Sequence, residues 1–244
     1  MNPDRVAGPR HPMGVLAVRY YKVDLRRLPF AVVWRWGNTR SFVQFAIQRF
    51  FGAPMYGPLL VPDDHTVRLL PDSEAEPWLV GPLKPIDAEL RELGFLHITA
   101  YSVPTVGPTL GLGRAYLAAE RDAFAFAVVS RQARGYERGI VLYSCCDGRW
   151  LGTTSNRHGL VPLPEIDGLR LPGASVTDVV TRHYMRLSTR RDLFTPDAVV
   201  QALEHHRARQ LEYYTSLGLY VPATEKDLAV ALERQAALRS SLGG

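Results

Sequence analysis

The amino-acid sequence predicts an α+β protein with one mostly antiparallel sheet, of five or six strands within about residues 95–171, packed with helices. Three observations predict this class. Short β-rich segments follow one another between residues 95 and 171, Asp147-Gly148 separates two of them, and the last third of the chain carries helix start signals. Because strands and helices are segregated along the chain, a parallel βαβ fold is disfavoured.

The composition is that of a globular protein that needs no covalent or metal staple. Of the 244 residues, 46% are hydrophobic and 22% are charged, which is enough apolar surface for a sizeable core. The only cysteines, Cys145 and Cys146, are adjacent. Neighbouring side chains of a strand point to opposite faces, so this pair is badly placed for a disulfide. We expect a reducing, cytoplasmic setting with no metal and no cofactor.

The N-terminal region carries no membrane-spanning segment by sequence. Residues 1–10 lack the apolar core of a signal peptide. The most apolar stretch, Leu28–Phe51, contains Arg35, Arg40 and Arg49, which disfavours a transmembrane helix. The cations are almost all arginine, which we interpret as the codon usage of a GC-rich bacterium.

Proline-rich and acidic segments suggest a division of the chain. Residues 1–13 are expected to form a flexible tail. Residues 14–82 are expected to form a strand and helix segment, with strands at Val15–Val23 and Pro29–Trp36 and a helix at Ser41–Phe51. Residues 83–244 are then the main α+β domain.

Glycine and proline residues mark the ends of the helices and strands that we predict in the main domain. A helix is predicted to begin at Pro85 and to end just before Gly94, and a strand is predicted at Phe95–Val103. A hairpin is predicted around residues 120–122, and its second strand alternates large and small residues. Phe124, Phe126 and Val128 would share one face, and Ala123, Ala125 and Ala127 the other. The small face would allow a helix to approach closely.

The dipeptide Asp147-Gly148 is the strongest local signal. Between two strand-like runs it is typical of a two-residue type I′ hairpin turn, and such a turn fixes the register. Cys146 is then predicted to lie opposite Arg149, Cys145 opposite Trp150, and Ser144 opposite Leu151.

Each of the three C-terminal helices has a start signal. Ser175 with Asp178, Thr195 with Pro196, and Thr224 with Asp227 are typical of helix N-termini. The first of these helices has a basic side, formed by Arg182, His183, Arg186, Arg190 and Arg191. Because no base-reading motif accompanies it, we interpret it as a solvated face and disfavour nucleic acid as a partner.

The thiols are the candidate nucleophiles. A catalytic cysteine needs a base or a positive environment, and His97 and His158 are the histidines in the predicted sheet region. Arg149 opposite Cys146 would also favour a thiolate. The catalytic hypothesis is a cysteine-dependent hydrolase or transferase that uses Cys145 or Cys146 with His97 or His158.

A polar run ends the strand after the Asp-Gly turn. Residues 153–158 offer hydroxyl, amide, guanidinium and imidazole groups at a sheet edge, and such a set can bind a polar ligand. The other interpretation is a loop that caps itself by side-chain hydrogen bonds. The candidate ligand-binding residues are Tyr101, Trp150, Thr154, Asn156 and Arg157.

The segment 29–51 mixes aromatic and basic residues. This combination is typical of a partner-binding surface or of an interfacial membrane helix, and equally of a buried core. The candidate contact residues are Trp34, Arg35, Trp36, Phe42, Phe45 and Arg49.

No catalytic constellation stands out from the sequence, so we expect a non-catalytic protein that binds a protein partner, a second copy of itself or a small ligand. A cysteine-dependent enzyme and a membrane-peripheral protein that docks through residues 29–51 are the two alternatives.

Overall fold

A computed structural model shows the fold of most of the main domain and of part of the N-terminal segment. The structure describes residues 18–24, 26, 43, 46–47, 49–50, 59–63, 67–103, 105–132, 135–156 and 163–242. The expected tail 1–13 and the expected strand Pro29–Trp36 lie outside the described residues. In the segment 41–51, Val43, Ala46, Ile47, Arg49 and Phe50 are helical.

The fold is α+β, with a seven-stranded main sheet in the order β3-β4-β5-β6-β7-β8-β9. Its strands are antiparallel except for the last pair, β8 and β9, which are parallel. The strands are β3 Arg68–Leu70, β4 Phe95–Ser102, β5 Leu110–Ala118, β6 Phe124–Gln132, β7 Gly135–Cys146, β8 Arg149–Thr154 and β9 Ile166–Arg170.

The mostly antiparallel sheet expected over residues 95–171 is confirmed, and six of its strands, β4 to β9, lie in that range; the whole sheet is one strand larger than the five or six expected. The additional strand is β3, which lies before residue 95 and pairs with β4. A strand of three residues is too short to show the alternation of apolar and polar residues that would predict it from the sequence.

The two faces of the sheet differ as the alternation in β6 predicts. Ala123, Ala125 and Ala127 pack under helices α1, Pro77–Glu92, and α2, Val176–Tyr184. Phe124 and Phe126 lie on the other face, where helix α3, Pro196–Ser216, covers them with Val199 and Leu203. The small alanine side chains let two helices pack on one face, and the phenylalanine rings fill the space under the third.

The Asp-Gly turn forms as predicted. Asp147 and Gly148 have φ angles of 51° and 73°, which are the two positive values that a type I′ turn requires. The register places Cys146 opposite Arg149, Cys145 opposite Trp150 and Ser144 opposite Leu151, so these predictions are confirmed.

All three C-terminal helices begin at their predicted caps. The side chains of Ser175, Thr195 and Thr224 accept hydrogen bonds from the backbone of Asp178, Ala198 and Asp227, which satisfies amides that an isolated helix end leaves unpaired. The last helix is α4, Glu225–Ser240.

Helix α1 begins eight residues earlier than predicted, at Pro77 rather than Pro85. Pro82 and Pro85 both lie inside it. Each interior proline removes one backbone hydrogen bond, but the apolar residues Leu79, Leu83, Ile86 and Leu90 are buried against the sheet, and this burial holds the helix together. Residue 82, where we expected a domain boundary, therefore lies within α1.

A second, three-stranded sheet joins distant parts of the chain. Strand β1, Tyr20–Val23, lies between β2, Leu60–Pro62, and β10, Tyr220–Pro222. All its pairs are antiparallel. Because β10 follows α3 directly, this sheet lies at the C-terminal end of α3, where Val61, Leu211, Tyr214, Leu219 and Tyr220 form a small core.

Candidate ligand-binding site

Polar residues interrupt the buried stripe of α3. Val199, Leu203, Leu211 and Tyr214 are its buried residues. The turn between Leu203 and Leu211 presents His206, Arg207 and Gln210, which are all half-buried. Residues three and four apart share a helix face, so these polar groups lie on the side of α3 that packs against the protein.

Four tyrosines surround this polar turn, and each comes from a different element. Tyr101 belongs to β4, Tyr143 to β7, Tyr214 to α3 and Tyr220 to β10. Burial raises the pKa of all four hydroxyls. We call the set of Tyr101, Tyr143, His206, Arg207, Gln210, Tyr214 and Tyr220 the tyrosine cluster.

Arg207 is the unusual member of the tyrosine cluster. Its Nε is sealed from solvent and has no hydrogen-bond partner, and its guanidinium makes no ion pair or hydrogen bond with any residue in the described part of the chain. Burial lowers the pKa of Arg207. A desolvated cation without a counter-charge costs free energy, so the site is poised for a group that the described residues do not supply.

Tyr101 and Tyr220 lie close enough to Arg207 for its charge to act on their hydroxyls. The positive charge of Arg207 lowers the pKa of both hydroxyls, against the larger effect of burial, which raises that of Tyr220 to about 12. Both phenols therefore stay protonated at neutral pH and can donate. Neither hydroxyl makes a hydrogen bond to another described residue, so their donor capacity is unused.

His206 serves the cluster as a neutral acceptor. Gln210 Nε2 lies 2.8 Å from His206 Nε2, and an amide nitrogen can only donate. The Tyr143 hydroxyl lies 3.3 Å from the same ring nitrogen. Burial, opposed by Glu165 and assisted by Arg207, lowers the pKa of His206 to about 4. The ring is therefore uncharged at pH 7, and Arg207 is the cation of the cluster.

Gly113 sets the position of Tyr101. The two residues are partners across β4 and β5, and a Cβ on Gly113 would collide with Cζ and the hydroxyl oxygen of Tyr101. The ring lies directly over the glycine and contacts Phe126 edge-on at 5.8 Å between centroids. The absence of a side chain at residue 113 thus permits the tyrosine to lie across the sheet.

Of the five residues predicted to bind a ligand, Tyr101 is the one that belongs to the tyrosine cluster. Trp150 lies on the same face of the sheet but stacks on Phe194 at 5.9 Å. Two phenylalanine rings, Phe124 and Phe126, lie between it and Tyr101. The structure therefore does not bring Tyr101 and Trp150, two of the predicted ligand-binding residues, together.

The polar run after β8 satisfies its own backbone. Thr154 Oγ1 donates to the carbonyl of Ile140 at 2.9 Å and accepts from the backbone amide of Asn156 at 3.1 Å. Ser155 Oγ accepts from the Ile140 amide at 3.0 Å. The self-capping interpretation accounts for these contacts. Arg157 lies outside the described residues.

Strands β5 and β6 separate the candidate thiols on β7 from His97 on β4, and Cys145 and His97 lie on opposite faces of the sheet. Cys145 belongs to the aromatic face, whereas His97 contacts Tyr116 on the face covered by α1 and α2. Burial and Asp192 raise the pKa of Cys145 to about 11, which disfavours a thiolate. Cys146 is buried while its partner Arg149 is exposed. His158 lies outside the described residues.

A second buried polar network, not predicted from the sequence, lies under α2. His183 is fully buried, with Nε2 2.9 Å from Ser144 Oγ and Nδ1 3.0 Å from Thr153 Oγ1. This geometry resembles a serine nucleophile with its base. However, Ser144 Oγ donates its proton to the carbonyl of Asp122 at 2.8 Å, so it must accept from His183 Nε2–H.

The proton arrangement makes the network under α2 a structural one. Arg186 donates to Thr153 Oγ1 at 3.0 Å, so this hydroxyl is free to donate to His183 Nδ1. The nitrogen beside Ser144 therefore already carries a proton and cannot act as its base. Burial, with the charge of Arg186, lowers the pKa of His183 to about 4.

The predicted basic side is only in part the solvated face that we expected, since Arg182, Arg190 and Arg191 are exposed whereas His183 and Arg186 are not. His183 is buried, Arg186 also donates to the carbonyls of Gly152 and Asp167 at 2.8 and 2.7 Å, and Arg191 pairs with the buried carboxylate of Asp122. Part of the prediction failed because α2 ends at Tyr184. Arg186 and Arg191 lie in the segment after it, where they reach carbonyls of the sheet and the carboxylate of Asp122.

Of the predicted partner or membrane residues, Arg49 alone lies in the described part of the chain. It is exposed, and its Nη1 donates to the carbonyl of Arg26 at 2.9 Å. Trp34, Arg35, Trp36, Phe42 and Phe45 lie outside it, so membrane docking through residues 29–51 stays a prediction.

Neither a metal centre nor a membrane-spanning helix is present among the residues that the structure describes. No group of three or more His, Cys, Asp or Glu side chains among the described residues is arranged to hold a metal ion. In the same residues, no helix has the length and apolar character needed to cross a membrane.

Sequence reasoning missed most of the tyrosine cluster. The signal was present in α3, because Arg207 is four residues after Leu203 and four before Leu211, at the centre of the apolar stripe. Tyr143 and Tyr220 could not be assigned to the cluster before the strand order was known. Comparison of the chain with protein-family models, curated proteins and solved structures finds no match.

Proposed function

We propose that this protein is a non-catalytic binding protein that takes a small ligand at the tyrosine cluster. The observation that carries the proposal is Arg207, a half-buried guanidinium with no partner among the described residues. The charge of Arg207 acts on the hydroxyls of Tyr101 and Tyr220, which make no hydrogen bond to another described residue. Convergent polar groups in apolar surroundings are typical of small-molecule sites.

The protonation states of the cluster support binding rather than catalysis. A general base works best with a pKa near the operating pH. His206, with a pKa of about 4, and Tyr220, with a pKa of about 12, are both far from neutrality. Glu165 is close enough to influence His206 but is paired with Arg209 at 3.1 Å. The cluster can hold and orient a ligand, and none of these groups is poised to move a proton at pH 7.

A fragment screen by ligand-observed NMR tests the proposal. Hits are titrated against wild type, Tyr101→Phe and Tyr220→Phe. Because each substitution removes one hydroxyl that has no partner in the described chain, folding should be preserved while affinity falls about three- to tenfold. Tyr136→Phe is the matched control, since Tyr136 lies at the far hairpin of β6 and β7 and contacts Arg131.

The two outcomes are distinct. Fragments that lose affinity in both cluster variants and keep it in Tyr136→Phe support a site at the tyrosine cluster. If no fragment responds to either cluster substitution, the cluster is not a ligand site.

A further inference from the structure

We propose that the ligand is a monocarboxylate with an apolar body, whose carboxylate pairs with Arg207. This inference rests on the proposed function and specifies the chemical class that the site takes.

The charge of the site matches one negative charge. Arg207 contributes a single positive charge, and its neighbours in the cluster are phenols, an amide and a neutral imidazole. Beyond the cluster, Glu165 pairs with Arg209 at 3.1 Å, and Arg209 also pairs with Glu212, so this network adds no positive charge to that of Arg207. A phosphate monoester carries about −1.5 to −2 charges at pH 7, so it would bring excess negative charge into a partly desolvated site. A carboxylate carries one.

The donors of the site also match a carboxylate. Nε of Arg207 is sealed from solvent, which leaves its two Nη groups to meet a ligand. Paired guanidinium N–H groups fit the two oxygens of a carboxylate. The hydroxyls of Tyr101 and Tyr220 supply two further donors, and the four acceptor sites of a carboxylate can use them.

The surroundings favour an apolar remainder. Tyr101 contacts Phe126, and Phe126 contacts Tyr143 at 6.1 Å between ring centroids. Tyr214 contacts Tyr220 at 5.4 Å. The carboxylate would therefore enter between aromatic walls, where a hydrocarbon or aromatic body is favoured over a polar one.

The test uses three carboxylates, benzoate, 3-phenylpropionate and octanoate, with benzamide and phenyl phosphate as matched probes. Affinities are measured by isothermal titration calorimetry for wild type, Arg207→Gln and the control Arg182→Gln, which changes an exposed arginine of α2. For at least one carboxylate, Arg207→Gln should weaken binding about ten- to a hundredfold, the range of charged hydrogen bonds. Arg182→Gln should leave it unchanged.

Each other outcome overturns the inference. If benzamide binds as tightly as benzoate, the site does not recognise the negative charge of the ligand, although the proposed ligand site would remain supported. Tighter binding of phenyl phosphate than of every carboxylate would assign a different class. If no carboxylate depends on Arg207 while neutral fragments depend on Tyr101 and Tyr220, the proposed function survives and the carboxylate does not.

Discussion

Replacing Arg207 by methionine should stabilise the unliganded protein. The side chain is half-buried, its Nε has no hydrogen-bond partner, and burial lowers its pKa. Arg207 has no partner among the described residues that its removal would leave unpaired. Replacing a whole buried ion pair by apolar side chains of similar volume is often neutral or favourable by about 1–4 kcal/mol, because the charges no longer have to be desolvated. Methionine has such a shape and can fill an irregular space.

The partial exposure of Arg207 sets the expected magnitude. Solvent reaches part of the side chain, which reduces the penalty of the unpaired charge, so we expect a gain of about 1–2 kcal/mol in the free energy of unfolding. For a chain of this size that gain corresponds to an increase of about 2–8 °C in the melting temperature. Urea unfolding followed by tryptophan fluorescence measures the first quantity, and differential scanning calorimetry the second.

The control for this experiment is Arg182→Met, on the exposed side of α2. A surface change of this kind should stay within about 0.5 kcal/mol of wild type. If Arg207→Met instead lowers the free energy of unfolding by 1 kcal/mol or more, the guanidinium has a structural partner. The reasoning that assigns it to a ligand would then be refuted.

Three further predictions concern the rest of the structure. Because burial lowers the pKa of His183 and of His206 to about 4, the unfolded chain binds more protons than the native state between about pH 6.5 and 4. The free energy of unfolding should therefore fall as pH falls through this window. Urea titrations at pH 7, 5.5 and 4 should show a shallower fall in His183→Gln than in wild type, whereas an unchanged slope would contradict the buried neutral ring. Gly113→Ala should destabilise the protein by about 1–3 kcal/mol in urea unfolding, because its Cβ collides with Tyr101. The double variant Gly113→Ala, Tyr101→Ala should recover part of that loss. If Gly113→Ala alone is as stable as wild type, the Tyr101 ring is free to move. In a Cys146→Ser background, alkylation of Cys145 by iodoacetamide should titrate above the reference pKa of about 8.5, since its pKa is raised to about 11; a midpoint below 8.5 would revive the cysteine-enzyme hypothesis.

Local signals in the sequence predicted local structure well. Asp147-Gly148 fixed a turn and therefore a register, because a two-residue loop leaves one pairing. The caps at Ser175, Thr195 and Thr224 predicted three helix starts, since each side chain bonds a backbone amide three residues on. The alternation of phenylalanine and alanine in β6 predicted a sheet covered on both faces.

Features that depend on distant residues were not predicted. Strand β10 pairs with β1 across almost the whole chain, and a three-residue strand has no periodicity of its own. The start of α1 was misplaced because Pro82 and Pro85 are helix breakers by local rules, while burial of its apolar face in the tertiary structure overrides that preference. The proton arrangement around His183 depends on Ser144 of β7, Thr153 of β8 and Arg186 after α2, which meet only in the tertiary structure.

Arg207 combines a local signal in the sequence with surroundings that come from distant parts of the chain. Its position four residues from Leu203 and from Leu211 is a local signal that places it among the buried residues of α3. Helix formation needs no arginine there, and an apolar residue would extend the stripe without the cost of desolvating a charge. Where a sequence departs from the pattern that its own fold favours and no partner in the described chain compensates, the departure is expected at a functional position. In the main domain, Asp122 and Asp87 show the compensated alternative, since each buried carboxylate is paired with an arginine. The contrast with Arg207 is therefore the physical reason for placing a carboxylate from outside the protein beside it.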